Sequence, residues 1–94
     1  MDSIESLIEG ILNANYDTCE KVGRDCVGAY TIDTCYTFDQ GWETAVWKDG
    51  GEIIIVARYE SKEAAQIGHE DWVSVCKLNP VSVWSVQCDA YINF

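Results

Sequence analysis

The chain's single histidine, His69, stands in "SKEAAQIGHEDWVSVCKLNP", Ser61 to Pro80, beside a glycine, two acids, a tryptophan and a cysteine. A histidine works as a general base or a metal ligand when an orienting partner, a nucleophile or further ligands surround it. Cys76 follows His69 by seven residues, which is roughly 10 Å of helix rise, so the two cannot share one ion. No metal and no cofactor are expected. On a helix Ala65, Trp72 and Cys76 fall on one stripe, joined by Gly68, Val75 and Ile67, with His69 at its edge. The expected role for His69 is packing on Trp72 or pairing with Glu70 or Asp71. Gly68 is the more telling residue: glycine in a helix interior costs about 1 kcal/mol relative to alanine, so it marks the close approach of another group. The expected neighbour is the sheet, beneath Trp42 or Trp47.

The rest of the sequence offers little other chemistry. No GxGxxG, phosphate-loop, HExxH or nucleophile-elbow pattern is present, which removes the common nucleotide, metalloprotease and hydrolase readings. The five cysteines (Cys19, Cys26, Cys35, Cys76 and Cys88) are odd in number and form no CxxC pair, so reduced and mostly buried thiols are expected. Carboxylate pairs can be drawn anywhere among 16 acids and single out none. The chain is not expected to be an enzyme.

The elements that must position these residues are legible in the periodicity. Residues 2–14 read as an amphipathic helix, with Ile4, Leu7, Ile8, Ile11 and Leu12 on one side and Asp2, Glu5 and Glu9 on the other. From Thr18 to Gln40 the composition is β-like, broken by Gly23 and Gly28, and "AYTIDTCYTF" alternates Tyr30, Ile32, Thr34, Tyr36 and Phe38 against the intervening residues. "WETAVWK" and "EIIIVARYE" flank an Asp-Gly step, a preferred hairpin turn. Ser61 is a natural N-cap for a helix over 62–78 that Asn79-Pro80 ends. Residues 82–94 predict a last strand or ordered tail. With 94 residues the chain has room for one domain, residues 1–94, of α+β class. Its expected form is an antiparallel sheet of about three to five strands with two helices packed on one face.

Composition bounds the partners. Acids outnumber bases 16 to 6, a formal charge of −10, which repels nucleic-acid phosphate and anionic membranes. Neither direct nucleic-acid binding nor membrane insertion is expected, and with no apolar leader after Met1 the expected location is the cytoplasm. The charge suits solubility, and it also suits the basic surface of another protein. Strand alternation places Trp42, Thr44 and Val46 on one face and Glu43, Ala45 and Trp47 on the other, so one face gains a tryptophan that helices need not cover. Tyr36, Trp84, Tyr91 and Phe94 supply further rings, and aromatic anchors ringed by charge are typical of interfaces. The candidate partner-binding residues are Trp42, Glu43, Asp49, Glu52, Glu70 and Asp71.

The succession Gly41-Trp42-Glu43-Thr44-Ala45-Val46, then Ile55-Val56-Ala57-Arg58-Tyr59, Ser61-Lys62-Glu63-Ala64-Ala65 and Gly68-His69-Glu70-Asp71-Trp72-Val73 resembles a group of small proteins encoded by tailed phages and prophages of Gram-positive bacteria. The similarity runs from about Asp39 to Pro80, with "RYESKEAAQIGHEDWV" its most specific part. It implies an origin and a host-cell cytoplasmic setting, and carries no catalytic residues. By analogy of type, a small acidic phage protein of this kind is similar to inhibitors of host defence such as anti-CRISPR proteins. Three functions follow as expectations: an inhibitor that covers a basic, nucleic-acid-binding surface of a host effector; a phage assembly accessory that forms homo-oligomers; or a small-molecule-sequestering protein.

Overall fold

The computed structural model describes residues 20–94. Four strands run as an antiparallel meander in the order β1 (Glu20–Val27), β2 (Tyr30–Thr37), β3 (Gly41–Lys48) and β4 (Ile54–Tyr59). A single described helix, α1 (Lys62–Cys76), crosses one face of this sheet. Then come β5 (Ser82–Ser85) and β6 (Ala90–Asn93), which among the described residues pair as a separate two-stranded sheet. The α+β class holds, with one described helix where two were expected; the helix read over residues 2–14 lies outside the described residues. The tail is a hairpin and not one strand, because Asp89 adopts a left-handed φ of 55° and turns the chain back on itself.

The connections follow from local chemistry. Gly28 takes φ 58° in the two-residue link between β1 and β2, a conformation that glycine enters without steric cost. At the β3–β4 connection Gly50 has φ 74° and Gly51 N donates to Lys48 O at 2.7 Å, as its Asp-Gly step predicts. Ser61 caps α1, its Oγ accepting from Ala64 N at 3.1 Å, and Asn79 at φ 53° turns the chain away after the helix.

Strand alternation sorts the sheet into two faces. Tyr30, Ile32 and Thr34 of β2 and Thr44 and Val46 of β3 are buried on the helix side. The core joins Tyr30, Ile32, Val46, Ile54 and Val56 to Cys76 of α1 and Val83 of β5, with Trp72 and Phe94 packed around them. Phe94 meets Tyr30 edge-on at 5.1 Å, and Tyr30 donates its hydroxyl proton to Pro80 O at 2.6 Å, so the end of the chain is fastened to β2. A single backbone bond, Val86 N to Ile55 O at 2.9 Å, ties the tail to β4.

On the opposite face no described element packs. Trp47, Ala45, Cys35 and Ile55 line a shallow groove there with Arg24 and Glu43. Asp33 on this face is nearly buried under two cations, Lys21 at 2.6 Å and Arg24 at 2.7 Å, and Arg24 also lies 5.5 Å from the centre of the Trp47 ring. Trp47 is half-buried.

Candidate functional site

Helix α1 meets the sheet through an unbroken row of polar side chains. His69, 3% exposed, is not at the edge of the helix stripe but in the middle of its buried face, with Ala65 and Cys76. Its Nδ1 is 2.7 Å from Thr34 Oγ1, Thr34 Oγ1 is 2.6 Å from Thr44 Oγ1, and Thr44 Oγ1 is 2.9 Å from the Tyr59 hydroxyl. At the other end His69 Nε2 lies 2.7 Å from Asp25 Oδ2. The row thus crosses all four strands, from Asp25 on β1 through Thr34 on β2 and Thr44 on β3 to Tyr59 on β4. The expected pairing of His69 with Glu70 or Asp71 gives way to this one, because a residue pointing into the sheet meets strand residues first.

Two glycines make the row possible. The β1–β2 register slips between Lys21 and Gly23, a bulge that brings the β1 backbone up to the imidazole. A Cβ on Gly23 would stand 3.0 Å from His69 Nε2. On the other side of the helix a Cβ on Gly68 would overlap Cε1, Cζ and the hydroxyl of Tyr59. Gly68 does sit close to the sheet, but against Tyr59, not beneath Trp42 or Trp47. Trp42 is occupied with Tyr36, ring centres 4.9 Å apart, and Trp47 is on the far face.

Burial raises the Tyr59 phenol above its ordinary range; the Thr44 hydrogen bond works against this and the negative charge of Asp71 adds to it. Burial alone pushes the Cys76 thiol up. Both groups are held protonated at neutral pH. Cys76 is the only buried thiol of the four described, Cys26 and Cys88 being exposed and Cys35 half-buried, so the expectation of mostly buried thiols is corrected. Position explains it: Cys26 lies at the end of β1, an outer strand of the four-stranded sheet, and Cys88 in the turn between β5 and β6.

The carboxylate–imidazole–hydroxyl order of Asp25, His69 and Thr34 is that of a nucleophilic triad, but its geometry is closed. Thr34 and Thr44 are 0% exposed and bond each other, so no acyl group can reach either oxygen. What the row does is fasten the helix to the sheet: no buried side-chain nitrogen or oxygen among the described residues is left without a partner. At its outer end Asp25, His69 and Glu70 converge, one donor atom from each lying within 4.8 Å of the others.

The predicted partner-binding residues do not form one patch. Glu70 and Asp71 are exposed on α1, and Asp49 and Glu52 are exposed at the β3–β4 turn. Glu43 points to the far face of the sheet, where Arg58 Nε lies 3.4 Å from its carboxylate. Trp42 is half-buried on the helix side. Sequence reasoning missed Asp25, Thr34, Thr44 and Tyr59. The usable signal was threonine at two inward positions of strands whose other inward residues are apolar or aromatic, together with a glycine inside β1.

Comparison with protein-family models, with curated proteins and with solved structures finds no match.

Proposed function

We propose that the chain is a protein-interaction module whose acidic surface covers a basic, nucleic-acid-binding surface of a host protein, as an anti-CRISPR-like inhibitor of a phage-encoded type. The observation that carries this reading is the segregation of charge. Three of the six cations lie on strands β1 and β4 and are engaged by sheet carboxylates: Lys21 and Arg24 by Asp33, and Arg58 by Glu43. Lys62 pairs with Glu20, and Lys48 lies 5.6 Å from the centre of the Tyr30 ring. Among the described residues no lysine or arginine forms an ion pair with Asp49, Glu52, Glu63, Glu70 or Asp71. Charge kept only for solubility needs no such sorting, whereas a surface that competes with phosphate does. The resemblance over Asp39 to Pro80 supplies the phage setting.

The test is capture of host proteins from nuclease-treated lysate, followed by release with short duplex DNA or RNA. A bound protein that nucleic acid displaces is the expected result, with association slowing steeply as screening lengths fall from about 10 Å at 0.1 M salt to about 3 Å at 1 M. The charge-reversed variant Asp49→Lys/Glu52→Lys/Glu63→Lys/Asp71→Lys should associate about tenfold more slowly or worse while keeping its melting temperature. A captured protein that nucleic acid does not displace and that the variant binds equally well refutes the reading.

A second reading, a phage assembly accessory that self-associates, is favoured by the exposed apolar side chains after α1: Leu78 and Val81 are about four-fifths exposed and Tyr91 72%. Concentration-dependent sedimentation that a Val81→Asp/Tyr91→Asp variant abolishes would select it.

A further inference from the structure

The geometry points to a divalent-cation site where β1 meets α1, in which His69 Nε2 and the carboxylates of Asp25 and Glu70 take a borderline metal such as Zn²⁺. Imidazole and carboxylate are the donor types that suit such an ion, and all three donor atoms already lie within 4.8 Å of one another. The imidazole is buried, but the Asp25 side chain is 52% exposed and Glu70 is exposed, so the three meet at a mouth open to solvent. His69 Nε2 and Asp25 Oδ2 stand 2.7 Å apart. Two zinc ligands at tetrahedral angle stand about 3.3 Å apart, given metal–ligand distances of about 2.0 Å. The pair must open by about 0.6 Å and the carboxylate swing off the Nε2 axis, a movement that the exposed Asp25 side chain is free to make.

Three features of the surroundings single these residues out from an ordinary cluster of surface acids. The first is orientation. A histidine that ligates metal uses its other ring nitrogen in a hydrogen bond that holds the ring, and His69 Nδ1 is held by Thr34, which is held by Thr44, which in turn is held by Tyr59. The second is proton bookkeeping along that row. If the hydroxyl protons point toward His69, Thr34 donates to Nδ1 and Nε2–H donates to Asp25. If they point away, Nδ1–H donates to Thr34 and Nε2 turns a lone pair on a carboxylate. The row therefore admits the tautomer in which Nε2 offers the lone pair that a metal takes, as well as the one in which it donates to Asp25. The third is access: Gly23 leaves open the space beside Nε2 that any other side chain would fill. The nearest cations on β1, Lys21 and Arg24, are paired with Asp33, and among the described residues neither Asp25 nor Glu70 has a lysine or arginine ion pair. Three protein donors leave one tetrahedral position for water.

The test uses the whole reduced chain, stripped with EDTA and titrated with ZnCl₂ by calorimetry and with CoCl₂ by absorption. The expected result is one equivalent bound, a shift of the His69 ring protons in NMR at that equivalent, and a Co²⁺ spectrum without a thiolate charge-transfer band. Asp25→Asn and Glu70→Gln, both at exposed positions, should each weaken Zn²⁺ binding by tenfold or more. His69→Gln should abolish binding, but it also disturbs the buried row, so the two carboxylate variants decide. No binding, a thiolate band, or unchanged affinity in both carboxylate variants overturns the site. These readouts use the metal alone, so they stand or fall apart from any protein partner.

Discussion

Replacing Gly68 by alanine sets two effects against each other, and the structure says which one wins. Gly68 is in the interior of α1 with ordinary helical backbone, so alanine should stabilise the helix by about 1 kcal/mol. The added methyl, however, overlaps the outer half of the Tyr59 ring. Overpacking of that kind costs about 1–3 kcal/mol. Because the Tyr59 hydroxyl is itself among the overlapped atoms, the ring must shift and its 2.9 Å bond to Thr44 is lost as well, at about 0.5–1.5 kcal/mol. Taking the two costs together and subtracting the helix gain leaves a net loss of about 0.5–3.5 kcal/mol, with Gly68→Leu at the upper end. For a domain of this size each kcal/mol moves the melting temperature by about 4–8 °C. Tyr59→Leu supplies the control, because leucine lacks the Cε1, Cζ and hydroxyl atoms that the methyl meets. In that background Gly68→Ala should stabilise by about 1 kcal/mol, reversing sign. Urea melts of the four proteins measure the coupling. A Gly68→Ala chain that is more stable than wild type, with coupling below about 0.5 kcal/mol, refutes the packing argument.

Two further outcomes follow from the buried row and its neighbours. Thr34→Val keeps the shape of the side chain and removes the hydroxyl between His69 and Thr44, so urea denaturation should show a loss of about 1–3 kcal/mol; Thr34→Val/Thr44→Val should lose less than the sum of the singles, and strict additivity would mean that the hydroxyls do not act as one row. Tyr59 and Cys76 both have folded-state pKa values raised by burial, so the folded chain holds its protons longer than the unfolded one and stability must fall as pH climbs past the unfolded values, about 8.5 for a thiol and about 10 for a phenol. Stability that rises across this alkaline range, or a fall left unchanged by Tyr59→Phe together with Cys76→Ala, would contradict the assignment.

The sequence by itself determined what depends on neighbours along the chain. Period-two alternation sorted the residues of β2 and β3 onto two faces, Ser61 and Asn79 bounded α1, and the Asp-Gly step placed the turn between β3 and β4. Glycine in mid-helix announced a close approach, since only a steric demand offsets its entropic cost. What tertiary structure alone decided is which partner each of these residues meets. His69 bonds a carboxylate 44 residues away and a hydroxyl 35 residues away, and Gly68 rests on Tyr59 and not on a tryptophan. Periodicity fixes the direction a side chain points but not the angle and offset at which the helix lies on the sheet, and those two quantities choose the strand residue beneath it. The sorting of charge is decided in the same way: Lys21 and Arg24 reach Asp33 through the register of β1 on β2, which the bulge between Lys21 and Gly23 shifts by one residue. A count of acids and bases contains the net charge, but only the folded register determines which carboxylates remain for solvent, metal or partner.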